Sequence, residues 1–148
     1  MDKKPLDRIT AILNKIDNDE LLLLKGHLLL EEFILNRLIL EFGDKVVKGL
    51  DLSFQKKVVL FAGVSKYELN ADFIKLILKI NSVRNKFAHN LNSEPKPLIL
   101  EIIQAAYGEL PETITRKSTY INALRKVFYF TLGQITGMTE IHLVLKDL

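Results

Sequence analysis

Arg84-Asn85-Lys86-Phe87-Ala88-His89 is the one stretch of this chain in which residue types suited to phosphate chemistry stand close together. A guanidinium grips a phosphate with parallel N–H groups, and an imidazole exchanges protons near neutral pH. An arginine and a histidine at this spacing can therefore bind or cut RNA without a metal or a thiol. The same six residues also read as a helix ending, where a cationic imidazole is favoured beside the last carbonyls. Both readings stand at the level of the residues.

The elements that must carry these groups are helical. Strand signals are sparse and apolar residues recur every three or four positions, which predicts an all-α fold, an up-and-down helical bundle of about four main helices with short additional ones. A first helix is expected from about Leu6 to Ile16. Asp17-Asn18-Asp19 supplies a cap for a long second helix from about Asp19 to Phe42, ended by Gly43. Val46 to Leu52 reads as a connection, and Ser53 caps a third helix from about Phe54 to Ala62 that ends near Gly63. Asn70 or Asp72 opens a fourth helix running to about His89. Asn90 to Pro97 is a loop by its turn residues and two prolines. A short helix from Leu98 to Tyr107 leads through Gly108 and Pro111 into a last helical region from about Glu112 to Gln134. The tail from Ile135 to Leu148 reads either way: Thr136 and Gly137 interrupt the helix, and Ile141 to Leu145 fits helix or edge strand.

Composition bounds the function. With 148 residues, 48% apolar and 26% charged, the chain fits one globular domain over 1–148. The apolar region from Leu21 to Phe42 is interrupted by Lys25, His27, Glu31, Glu32, Arg37 and Glu41, so no membrane span is expected. A cytoplasmic location is expected from the lack of a signal pattern at the N-terminus. Cysteine is absent, which excludes thiol nucleophiles and sulfur metal sites. No cofactor is expected, nor any metal: His27 precedes Glu31 by one helical turn without a second histidine, a spacing that favours a local hydrogen bond. His142 reads as structural. The net charge of +3 permits a polyanionic partner without requiring one.

On the fourth helix, where successive residues turn by about 100°, Phe73, Ile77, Ile80, Phe87 and Leu91 share a face with Arg84 in its middle. Lys75, Lys79, Ser82, Lys86 and Asn90 form the opposite stripe, with His89 at its edge. Arg84 and His89 are thus about 140° apart on an ideal helix, the arginine toward the core. A buried guanidinium requires an anion. On the second helix Leu21, Leu24, Leu28, Leu35, Ile39 and Phe42 mark a core face with Glu31 and Glu32 at its margins, so Arg84 is expected to pair with Glu31 or Glu32, and Arg84→Ala to destabilise the fold. Ile74 and Leu78, off the main stripe, suggest an interface.

Arg84 to His89 resembles the arginine, four to six residues, histidine motif of the HEPN superfamily of helical domains, including the asparagine after the arginine. Gly26-His27-Leu28-Leu29-Leu30-Glu31-Glu32-Phe33, Leu52-Ser53-Phe54 with Lys57-Val58, and the motif itself together also resemble the mannitol operon repressor family. The resemblance covers about residues 20 to 105. It implies two functions. In the first, the chain is a metal-independent endoribonuclease or RNA-binding module, a toxin or defence component acting as a homodimer. His89 would serve as general acid and base, Arg84 would hold the phosphate, Asn85 would orient the imidazole, and Lys79, Lys86 and Lys96 would guide the RNA backbone. Two copies are needed because one histidine cannot serve both faces of an in-line reaction. In the second, the chain is a non-catalytic transcriptional regulator or interaction module with a protein partner, an antitoxin or another regulator. No basic recognition helix is visible, so such a regulator would work through protein contacts. No aromatic residue interleaves with the lysines, so base stacking is not indicated.

Overall fold

In the structure, a computed structural model that describes residues 4–65, 71–90, 92–110 and 117–146, every regular element is a helix. The seven are α1 (Pro5–Leu13), α2 (Asp19–Phe42), α3 (Asp44–Gly49), α4 (Phe54–Val64), α5 (Ala71–His89), α6 (Pro95–Tyr107) and α7 (Lys117–Lys146). The expected helical bundle is what the chain forms. None of the described helices is long and apolar enough to cross a membrane.

Local chemistry sets most of the boundaries. The Asn18 side chain accepts from the Leu21 N–H at 2.9 Å and starts α2, whose end is fixed by Gly43 at φ +89°. That left-handed conformation carries a large steric penalty for a residue with a Cβ. Ser53 caps α4 by accepting from the Lys56 N–H at 3.3 Å. Gly108, at φ +81°, closes α6 with its N–H on the Gln104 carbonyl at 2.8 Å.

Four boundaries depart from expectation, each for a physical reason. α1 stops at Leu13 rather than Ile16, because Arg125 of α7 takes the carbonyls of Leu13 and Ile16 at 3.1 and 2.6 Å. The expected connection is entered by a turn of helix, α3, which buries Val47. α6 starts inside the expected loop, since Pro95 and Pro97 occupy a first turn whose N–H groups need no intrahelical partner. The tail is neither broken nor a strand: α7 runs through Thr136 and Gly137 to Lys146. The Thr131, Thr136 and Thr139 hydroxyls bond back to carbonyls four residues earlier, at 3.1, 2.9 and 2.9 Å, so the polar groups on this face are satisfied within the helix. The expected starts at Asn70 and Glu112, the core position Leu91 and the side chain of His142 lie outside the described residues.

α2 is the central helix, packing on α1, α3, α4, α5, α6 and α7. Its closest neighbour is α7. A Cβ placed on Gly26 would fall 2.3 Å from the ring of fully buried Phe128, so this contact requires glycine. The buried face of α2 is made by Leu22, Leu23, Leu29, Leu30, Ile34 and Leu38, together with Gly26, His27 and Arg37. Leu21, Leu24, Leu28 and Phe42, expected inside, are exposed, while Leu35 and Ile39 are half-buried. The true face is masked in the sequence by its glycine, histidine and arginine. On α5, Phe73, Leu76, Ile77, Ile80 and Val83 are buried. Ile74 and Leu78, expected to be exposed, pack half-buried against the core.

Candidate functional site

α5 lies beside α2 and α4, and its polar side chains meet those of both in a groove. Asn81, Asn85 and His89 follow at four-residue intervals along α5 and so form one stripe. Arg84 flanks that stripe on the α2 side and His89 ends it on the solvent side. A cleft of about 440 Å³ is lined by His27, Glu31, Ser53, Phe54, Gln55, Asn81, Arg84 and Asn85. A second, of about 510 Å³, is lined by Gln55, Leu78, Asn81, Ser82, Asn85, Lys86 and His89. Gln55, Asn81 and Asn85 line both, so the two clefts adjoin along α5. The structure places Arg84 in the first cleft and His89 in the second, with Asn85 lining both.

The expected ion pair of Arg84 with Glu31 or Glu32 does not form. The Lys57 ammonium from α4 holds Glu31 at 2.9 Å, and Arg8 from α1 takes Glu32 with a two-pronged contact at 2.7 and 3.2 Å. Arg84 is half-buried rather than buried, and its guanidinium donates to the Asn85 side-chain oxygen at 3.3 Å. The arginine that does sit in the core is Arg37, 2% exposed, donating to Glu41 one turn on at 3.2 Å and to the Val64 carbonyl at 3.3 Å. The requirement that a buried guanidinium find an anion is met, but by a different residue.

His27 departs from expectation as well. Its partner is not Glu31 one turn away but Asn81 on α5, with Nε2 3.0 Å from the amide oxygen. Its ring packs on Phe54 with centroids 4.5 Å apart, and its Nδ1 is buried without a hydrogen-bond partner. Burial pushes the imidazole below its usual pKa, and the charge of Arg84 adds to that push; the Asn81 bond and the Glu31 charge act in the opposite direction. His27 is the groove residue that sequence reasoning undervalued. The available signal was its position inside an otherwise apolar run directly after a glycine.

His89 is exposed at the last position of α5. The three lysines expected to guide a backbone do not form a track. Lys79 and Lys86 share the Glu101 carboxylate of α6 at 3.4 and 3.5 Å, and Lys96 sits with its ammonium 5.7 Å from the Tyr120 ring centroid. Only Lys86 lines the groove beside His89. Among the described residues no group of three or more His, Cys, Asp or Glu side chains is placed to hold a metal ion.

Comparison of the chain with protein-family models, curated proteins and solved structures gives no match. The groove offers a guanidinium not neutralised by a carboxylate, amides that donate and accept, and an exposed imidazole. These groups suit a phosphodiester flanked by hydroxyls.

Proposed function

We propose that the groove along α5 binds single-stranded RNA and that two copies of the chain cleave it without a metal, in the manner of the HEPN nucleases that the motif resembles. The observation that carries this reading is the state of Arg84. It lines a polar cleft, and the Glu31 carboxylate of that cleft is engaged by Lys57. A guanidinium so placed retains its capacity for a phosphate.

The chemistry needs a base at the ribose 2′-hydroxyl and an acid at the leaving oxygen. His89 of one copy takes the 2′-hydroxyl proton, the oxygen attacks phosphorus, and the bond to the 5′-oxygen breaks as His89 of the other copy supplies its proton. The products are a 2′,3′-cyclic phosphate and a free 5′-hydroxyl. Arg84 stabilises the charge that builds on the phosphorus oxygens. Asn85, one turn before His89, orients the ring or the phosphate.

The test is incubation of the purified protein with mixed RNA in the presence of a chelator. The expected result is cleavage that falls by about 10² to 10⁴ in His89→Ala. RNA left intact at protein concentrations that favour dimers would remove the catalytic reading. A second reading, a non-catalytic interaction module like the mannitol operon repressor family, is favoured by Leu21, Leu24 and Leu28, which form an exposed apolar ridge on α2. It would be supported by a stable protein complex that leucine-to-serine changes on this ridge abolish.

A further inference from the structure

We infer that the outer face of α2 pairs with the same face of a second copy, antiparallel about a twofold axis beside Leu28, and that this pairing sets the two Arg84 clefts on one side of the dimer. The pairing supplies what two-copy cleavage needs, yet it stands on the surface itself and holds whether or not the chain cuts RNA. Leu21, Leu24, Leu28, Leu35, Ile39 and Phe42 fall within an arc of about 60° around α2. None of the six is buried: four are exposed and two half-buried. Leu28, at 52%, is the most exposed apolar side chain of the helix. α2 packs on six other helices, and this stripe is the side they leave open. A continuous apolar stripe of this kind marks a contact with another molecule.

The charges that border the stripe select the occupant and its direction. On the α4 border Glu31 is paired with Lys57, and on the α1 border Glu32 is paired with Arg8. Lys25 lies on the same border as Glu32, two turns earlier, and it is exposed without an ion pair among the described residues. In an antiparallel pair related by a twofold axis, each border meets its own counterpart. An axis beside Leu28 therefore sets Lys25 of each copy against Glu32 of the other, with Leu28 on Leu28 and Leu21 on Leu35. Glu31 meets its counterpart already neutralised by Lys57. This spacing is self-complementary, which a second copy requires and a different partner does not. His27 and Glu31, on the α4 border, line the Arg84 cleft, so the arrangement brings both clefts to one side of the dimer. A parallel pair would set one border against the other and place the clefts on opposite sides.

The chain has no cysteine, so a single introduced thiol reports the pairing without background. Packed helices about 8–10 Å apart hold facing Cα atoms within disulfide range. Under mild oxidation Leu28→Cys is expected to crosslink to itself, while Val59→Cys, similarly exposed on α4, stays uncrosslinked. An equal mixture of Leu21→Cys and Leu35→Cys is expected to crosslink between the two variants more than either does alone. Self-crosslinking of both Leu21→Cys and Leu35→Cys, the mark of a parallel pair, would overturn the inference. Sedimentation equilibrium of the parent is expected to show a dimer that Leu28→Lys weakens by about thirtyfold or more, since the change opposes two like charges at the axis. If Leu28→Lys does not fold, the crosslinking pattern decides alone. A parent that stays monomeric overturns the inference, and so does a dimer indifferent to Leu28→Lys. A monomer that binds phosphatidylcholine vesicles overturns it in favour of a lipid surface. An antiparallel dimer that leaves RNA intact upholds the interface while removing the nuclease. Cleavage that Leu28→Lys leaves unchanged removes the interface while keeping the nuclease.

Discussion

Arg125 and Arg84 are both half-buried arginines, on α7 and α5, and the regions around them differ in how completely their polar groups are used. Around Arg125 the polar side chains are engaged. Its guanidinium bonds to the carbonyls of Leu13 and Ile16 and to Asn122, with the Asp17 carboxylate 3.8 Å away. Beside it the Tyr120 hydroxyl donates to Asp19 and the Tyr129 hydroxyl to Asn14. Burial, followed by the Asp19 bond and charge, raises the Tyr120 phenol, so it stays protonated as a donor. Around Arg84 the polar groups outnumber their partners. The arginine has one bond, to its sequence neighbour, and His27 keeps a buried nitrogen unused. Hydrogen bonds to charged groups contribute about 1.5 to 3 kcal/mol each. The first region therefore spends its polar chemistry on holding α1 and the start of α2 against α7, while the second retains capacity for a ligand.

Stability measurements on single variants test this contrast. Arg125→Ala is expected to have the largest effect, a loss of about 3 kcal/mol, because it orphans two carbonyls at the α1 terminus. Chemical denaturation of the variant checks it, and an unchanged midpoint would mean that the clamp contributes nothing. Gly26→Ala comes next at about 2 kcal/mol, since its methyl group would overlap the Phe128 ring. A smaller effect belongs to His27. Its folded pKa is depressed, so below the ordinary value of 6.5 the unfolded chain binds more protons than the native one, and stability falls as pH drops. Between pH 6.5 and 5.5 this removes a few tenths to about 1 kcal/mol, allowing for solvent screening. The pH dependence should flatten in His27→Gln once the variant is compared with itself at pH 7.5. Arg84→Ala should change stability by less than about 0.5 kcal/mol while weakening RNA binding. If it destabilises as much as Arg125→Ala, the two arginines play the same role and the contrast collapses.

What the sequence disclosed was mainly local. Asn18, Gly43 and Ser53 mark helix ends because each cap is made within a few residues, and the end of α5 at His89 was legible from the turn residues that follow it. The bundle followed from periodicity. The face of α2 did not, because a helix packed on six neighbours buries a wide arc and no single stripe of leucines stands out. Pairing across the fold was also hidden. Glu31 and Glu32 had several cations to choose from, and the positions of α1 and α4, not the properties of the carboxylates, awarded them to Arg8 and Lys57. The contact between His27 and Asn81 joins residues 54 positions apart, beyond the reach of any spacing rule. In α7 the helix runs past the glycine that had suggested an interruption, and the threonine hydroxyls around it are satisfied by carbonyls of the same helix.

Gly26 and His27 are consecutive on α2, one touching the Phe128 ring and the next reaching Asn81 on α5. The clearance between two helices at the back of the molecule thus sets the alignment of an imidazole at the front. Any bulk added behind α2 would be transmitted as a sideways displacement of that ring. Groove geometry in this protein can accordingly be retuned from position 128, by a smaller or larger side chain that lies outside both clefts.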